Sequence, residues 1–185
     1  MGDGARVSAD TFGIGDSGNL NVNAFNSVKV IGVTGNNIRS TLASQAVEGS
    51  DGNAGTLTIN TKDLLVQDGA QISAGTFAAG NGGQLTINAT NSVQVLGSSG
   101  LFAAAERNST GNSGDLTITT KKFLLSDNAR VSVAMRGVGK AGNLKIKCSK
   151  LISKQWGTGF CRSFWVWTGR KFNCKCRGST INRSL

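Results

Sequence analysis

Three stretches of this chain follow one plan with an unvarying internal spacing, and that spacing restricts the possible folds more than any other feature. GDGARVSADTFGIGDSGNLNVNA, QDGAQISAGTFAAGNGGQLTINA and SDNARVSVAMRGVGKAGNLKI begin near Asp3, Asp68 and Asp127. In each, a tight-turn residue (Gly4, Gly69 or Asn128) stands 16 positions before a leucine (Leu20, Leu85 or Leu144). A spacing held three times marks an array of one structural unit, in which each copy stacks on the next.

The unit is made of strands. Segments LNVNA, LTINT, LTINA, LTITT and LKI open at Leu20, Leu57, Leu85, Leu116 and Leu144, and the residues two later are Val22, Ile59, Ile87, Ile118 and Ile146. Leucine and its apolar partner share one face while the Asn, Thr or Lys between them takes the other, which is the alternation of a half-buried strand. A second strand candidate follows about eight residues on, around Val28, Leu65, Val93 and Leu124. A third, weaker apolar stretch (AQISAGTF, LFAAAE, ARVSVAM) precedes a Gly/Asn/Ser-rich return to the next leucine.

Successive leucines are separated by 37, 28, 31 and 28 residues, and the extra length falls in GNNIRSTLASQAVEGSDGNAG and AAAERNSTGNSG. Length variation confined to turns suits a unit that touches only its neighbours. Three strands per repeat with no helical period predict an all-β, right-handed parallel β-helix of about five coils over residues 1–146, in preference to a sandwich or propeller. Gly and Asn supply the positive φ that the corners need. At ~4.8 Å per coil the array is about 24 Å long. Asn23, Asn60 and Asn88 follow the inward residue at one place in their strands. They are candidates for a turn ladder of amides between coils, the alternative being solvated turn asparagines. A solenoid has two open ends, and neither terminus carries a helix pattern that would cap one.

Charge divides the chain. Residues 1–146 hold 11 Lys/Arg and all 10 Asp/Glu, whereas residues 147–185 hold 9 Lys/Arg and no acid. The basic pI would point to nucleic acid or an acidic membrane if the charge lay on one folded face; the sequence instead assigns it to the tail. The tail also holds every cysteine (Cys148, Cys161, Cys174, Cys176) and every tryptophan (Trp156, Trp165, Trp167). The opening MGDGARVSAD lacks a basic segment leading into an apolar run, so no signal peptide is expected there. Arg6 stands where a myristoylation signal at Gly2 wants Ser or Thr. No apolar run is long enough for a transmembrane helix.

The repeat phrase G[NTQD]L[TN][IV][NT], joined to [DN][GN]A[RQ][IV]S over residues 1–146, resembles the repeat region of filamentous-haemagglutinin-like exoproteins, the secreted adhesins of bacterial two-partner secretion. The resemblance implies a β-helical segment from the interior of a longer protein, exported through an outer-membrane pore partner to the cell surface. It implies adhesion, but the generic repeats do not specify whether the receptor is a host-cell, bacterial or carbohydrate surface; from the residues themselves, no cofactor and no nucleic-acid partner are expected. Some members of the family are tied to haem utilisation or haemolysis.

The tail at residues 147–185 has three readings. A zinc site is poorly served by a Cys-Lys-Cys pair with two remote cysteines and no histidine. Basic residues interleaved with Trp and Phe could contact single-stranded nucleic acid. The third reading is a frameshift near Ile146 and Lys147. Read from the second base of each codon, the single Trp codon forces glycine at the Trp156, Trp165 and Trp167 junctions. The forced glycine at Trp156 lies 16 positions before a permitted leucine at Phe172, itself 28 after Leu144, so both repeat intervals recur. On this reading the tail is unstructured and its cysteines carry no chemistry.

Catalysis is weakly supported. Some β-helices cleave polysaccharides with clustered acids, and the nearest pairs here are Asp63 with Asp68 and Glu106 with Asp115. They sit at different phases of the repeat, histidine is absent, and glycine-rich AGNGGQLTI and GNSGDLTIT lack acids recurring in step for calcium. The expectation is a non-catalytic segment whose repeat surface, or whose loops Arg39 to Asp51 and Ala103 to Asn112, touches a partner.

Overall fold

A computed structural model describes residues 1–154, 174–176 and 179–180. Every regular element among them is a strand: β1 (Arg6–Ser8), β2 (Leu20–Asn23), β3 (Ser27–Ile31), β4 (Thr41–Ala43), β5 (Leu57–Gln67), β6 (Gln71–Ser73), β7 (Leu85–Val95), β8 (Gly100–Phe102), β9 (Leu116–Ser126), β10 (Arg130–Ser132), β11 (Leu144–Cys148), β12 (Lys150–Lys154), β13 (Cys174–Cys176) and β14 (Ser179–Thr180). All pair in parallel except β13 with β14. The chain is a β-solenoid of about four turns.

Two sheets make the walls. The smaller runs β1-β4-β6-β8-β10, and the larger runs through β2, β5, β7, β9, β11 and β13, with β3 and β12 beside β5 and β9. The predicted first and second strands are continuous in the middle coils, where β5, β7 and β9 each run 11 residues. They turn a corner without breaking. Inward positions fall on Leu57, Ile59 and Thr61 before it and on Leu64 and Val66 after it, because two successive residues, Lys62 and Asp63, lie outside the buried set. The ladder slips by one residue at that corner, as a bulge does.

The core is a stack of columns. Leu20, Leu57, Leu85, Leu116 and Leu144 stand in register, as do Val22, Ile59, Ile87, Ile118 and Ile146. The three middle members of each column are fully buried, while Leu20, Val22 and Leu144 are half-buried where the stack ends. Past the corner a third column runs Val28, Leu64, Val93, Phe123 and Leu151. The smaller sheet closes the interior with Leu42, Ile72, Leu101 and Val131, and Val7, in register with Leu42, is exposed at the first coil. Burying apolar surface in every coil stabilises the stack by roughly 25 cal/mol per Å² removed from water.

The unequal intervals are explained by three kinds of turn. Ten residues separate Ile31 from Thr41 where four separate the matching Gln67 and Gln71. The surplus forms a small hairpin closed by Val33 opposite Arg39. Two further insertions make the same turn: Ser50 N–H and Ser109 N–H donate to the Val47 and Glu106 carbonyls, and each serine hydroxyl donates to the same oxygen. Gly49 and Asn108 supply the positive φ in these turns, at 83° and 70°. The remaining odd residue sits at the corner before Ser27 and Ser92.

The repeat does not end at Ile146. Lys147 stays opposite Thr119, and β12 continues in register with Lys150 opposite Lys122 through Lys154 opposite Ser126. The pairing expected to stop at Ile146 therefore continues at least as far as Lys154. Cys148 is buried where earlier coils place Thr61, Ala89 and Thr120, and Leu151 follows Phe123 in its column, so side chains unlike the earlier phrases still fit the same pattern. Nor is the whole tail unstructured: β13 lies beside β11 with Cys174 opposite Ile146, one 28-residue step on. The Trp156, Trp165, Trp167 and Phe172 positions that carry the frameshift, and Cys161, lie outside the described residues.

Candidate functional site

The asparagines expected from the sequence to form a turn ladder lie on the outside of the coils. Asn23, Asn60 and Asn88 form one column on the outer face of the larger sheet, at its strands and not in a turn. Asn60 Nδ2 donates to Asn23 Oδ1 at 2.8 Å, and Asn88 Nδ2 donates to Asn60 Oδ1 at 2.9 Å. Thr119 takes the next place, and the amide series stops there.

A longer polar column escaped the sequence reading. Asp16, Asn53, Asn81, Asn112 and Lys140 each stand four residues before a rung leucine. Asp16 Oδ1 accepts from Asn53 N–H at 2.8 Å, Asn53 Oδ1 from Asn81 N–H at 2.8 Å, Asn81 Oδ1 from Asn112 N–H at 2.9 Å, and Asn112 Oδ1 from Lys140 N–H at 2.9 Å. Each side chain thus satisfies a backbone donor of the next coil where the turn leaves the ladder. The signal was available as a fixed offset of −4 from each leucine. At offset −1 the arrangement recurs at two steps, Asn19 to Thr56 N–H at 2.8 Å and Asp115 to Asn143 N–H at 2.7 Å.

Close approach of the turns requires glycine. Gly18, Gly55, Gly83, Gly114 and Gly142 stack at offset −2. A Cβ on any of the last four would overlap the carbonyl oxygen of the glycine one coil earlier. This is the physical content of the glycine in the repeated G-x-L phrase.

The acidic residues do not converge. Asp63 accepts from Ser92 Oγ at 2.5 Å and from Asn91 Nδ2 at 2.7 Å, both on the next coil. The Ser92 hydrogen bond is the largest influence; burial opposes it, but with the Asn91 hydrogen bond, the charge of Lys62 and the Ser92 backbone N–H it holds the carboxyl below the usual value. Asp68 shares φ > 0 with Gly69 in the turn after β5 and accepts from Gln67 Nε2 at 2.8 Å. Glu106 pairs with Arg136 one coil on at 2.8 Å. Neither suggested acid pair forms a two-carboxylate site, since each member is tied to a different neighbour. Among the described residues no group of three or more His, Cys, Asp or Glu comes together to hold a metal.

The two suggested loops are largely wall. Thr41 to Ala46 are buried through β4 and the bridge from Ala46 to Thr76, and Ala103 to Ala105 are buried beside Met135. The inserted turns at Glu48–Gly49 and Arg107–Asn108 project to solvent, as do Arg39, Asp51, Thr110 and Asn112. No helix among the described residues is long and apolar enough to cross a membrane. With family models, curated proteins and solved structures alike, comparison of the chain finds no match.

Proposed function

We propose that the chain is a structural and adhesive repeat segment of a larger secreted bacterial protein of the filamentous-haemagglutinin kind, without a catalytic role. In this reading the parent leaves the cell through an outer-membrane pore partner, and the solenoid displays its outer faces to a host-cell, bacterial or carbohydrate surface. The observation that supports it is where the recurring polar side chains go. The Asn23 and Asp16 columns, Asp63, Glu106 and Asp115 all bond to the adjacent coil. Such residues extend a rod; an active site would aim them at a common point.

Attachment of bacteria or epithelial cells to beads carrying the chain tests the proposal. Retention by the native chain, and its loss in Gly83→Val, whose coils cannot stack, is the expected result. Polysaccharide cleavage by the purified chain that disappears in Asp63→Asn, with attachment no better than to bare beads, would overturn it.

A further inference from the structure

The sequence assigns the basic charge to the tail alone, but the fold carries part of it onto the body. Lys121 and Lys122 are the two exposed residues at the corner of β9, between buried Thr120 and Phe123. In the next coil Lys145, Lys147 and Lys150 are exposed on the same outer wall, with Lys147 opposite Thr119 and Lys150 directly opposite Lys122. Five ammonium groups thus occupy two adjacent coils, ~5 Å apart, over a run of strand about 16 Å long.

Like charges facing each other across a strand pair repel, as Lys122 and Lys150 do, and none of the five lysines is in an ion pair among the described residues. The ion pairs among the described residues are Arg6 with Asp10 and Arg136 with Glu106, and neither involves this corner. The acid in the same column, Asp63, stands two coils below Lys122 and is held by Ser92 and Asn91. Asp115 receives two hydrogen bonds from Asn143. Residues 128–154 contain seven Lys/Arg and no acid.

We propose that this lysine corner is a docking surface for an anionic lipid bilayer. Charge complementarity names an anionic partner, and shape selects among anions. The corner is a bend in the wall at which two successive side chains point outward, so it is convex. A planar, deformable array of phosphate headgroups can meet a convex edge. A nucleic-acid strand held by stacking would need an exposed ring there, and the aromatic side chain of the corner, Phe123, is fully buried. The inference goes beyond the adhesive reading and does not require it.

Vesicle flotation of the full chain tests it, using phosphatidylcholine alone and phosphatidylcholine mixed with phosphatidylglycerol. The chain should float with the anionic vesicles only and detach in high salt. K121Q/K122Q should lower the partition coefficient about 25-fold, about fivefold for each lysine. The control K29Q/K140Q removes equal charge elsewhere and should change it far less, and R162Q/R170Q/K171Q should leave the corner's contribution intact. Equal loss in K29Q/K140Q, loss in the R162Q/R170Q/K171Q variant with none in K121Q/K122Q, or binding to neutral vesicles would each overturn the proposal. So would tight capture of polyphosphate or single-stranded DNA at physiological salt by a chain that ignores anionic vesicles.

Discussion

Gly83→Ala adds a single methyl group, yet the stacking of the turns makes it a severe change. The new Cβ would overlap the Gly55 carbonyl oxygen and lie 2.9 Å from that of Ala54, where ordinary contact begins at 3.4 Å. Both obstacles are backbone, so no side chain can rotate away. Relief requires the coils to part locally by more than an ångström. Two bonds span that seam at 2.8 Å, Ala54 N–H to the Asn81 carbonyl and Leu57 N–H to that of Gln84, and Gly83 N–H donates to Ala74 at 2.8 Å. Stretching two or three of these past ~3.5 Å costs about 1 kcal/mol each, or about 2–3 kcal/mol in all. Urea unfolding followed by circular dichroism reads this as a midpoint lower by ~1 M or more. Gly13→Ala is the matched control, because a Cβ there meets nothing within 4 Å. It should stay within about 0.5 kcal/mol of the native chain. Equal midpoints for the two variants would refute the close-stacking argument.

Both polar columns are exposed, so Asn81→Ala, which removes the acceptor of the Asn112 backbone N–H, and Asn60→Ala, which breaks two amide pairs, should each cost about 0.5–1.5 kcal/mol, read from urea midpoints; a loss of about 3 kcal/mol or more at either would contradict this. Asp63 has its folded pKa below the ordinary 3.8, so its contribution is present above that value and fades as pH falls through the lower folded one. The melting-temperature gap between the native chain and Ser92→Ala should therefore narrow below about pH 4, and a gap that widens in acid would contradict the assignment. Nucleotide sequence through and beyond the Lys154 codon should continue the repeat phrases in its second frame; early stops in that frame would remove the frameshift explanation of the tail.

Much of the wall was legible in the sequence because strand alternation is a local property. Leu85 and Ile87 differ by two positions, and that difference alone places them on one face. The continuous strands were less visible: a corner inside β5 looks like two strands, since Lys62 and Asp63 interrupt the alternation although the ladder resumes after them. The extension to Lys154 was hidden for a similar reason. CSKLISK shares few letters with TKKFLLS, and what it preserves is the register, with Lys150 opposite Lys122 and Leu151 opposite Phe123. The Asp16 column went unnoticed because its members include Asp, Asn and Lys, and the last needs only its backbone N–H.

By itself, then, the sequence determined the repeat, the inward columns and the parallel β-solenoid, because these follow from periods that every copy carries. The tertiary structure alone decided which polar residues meet, which glycines have no room for a side chain, and that lysines on both sides of the supposed boundary share one corner. Those contacts join residues about one coil apart in the chain, 28 to 37 positions. Their adjacency is fixed only when the corner slips, the inserted turns and the hairpin at Val33 have absorbed the unequal lengths and brought the coils back into register.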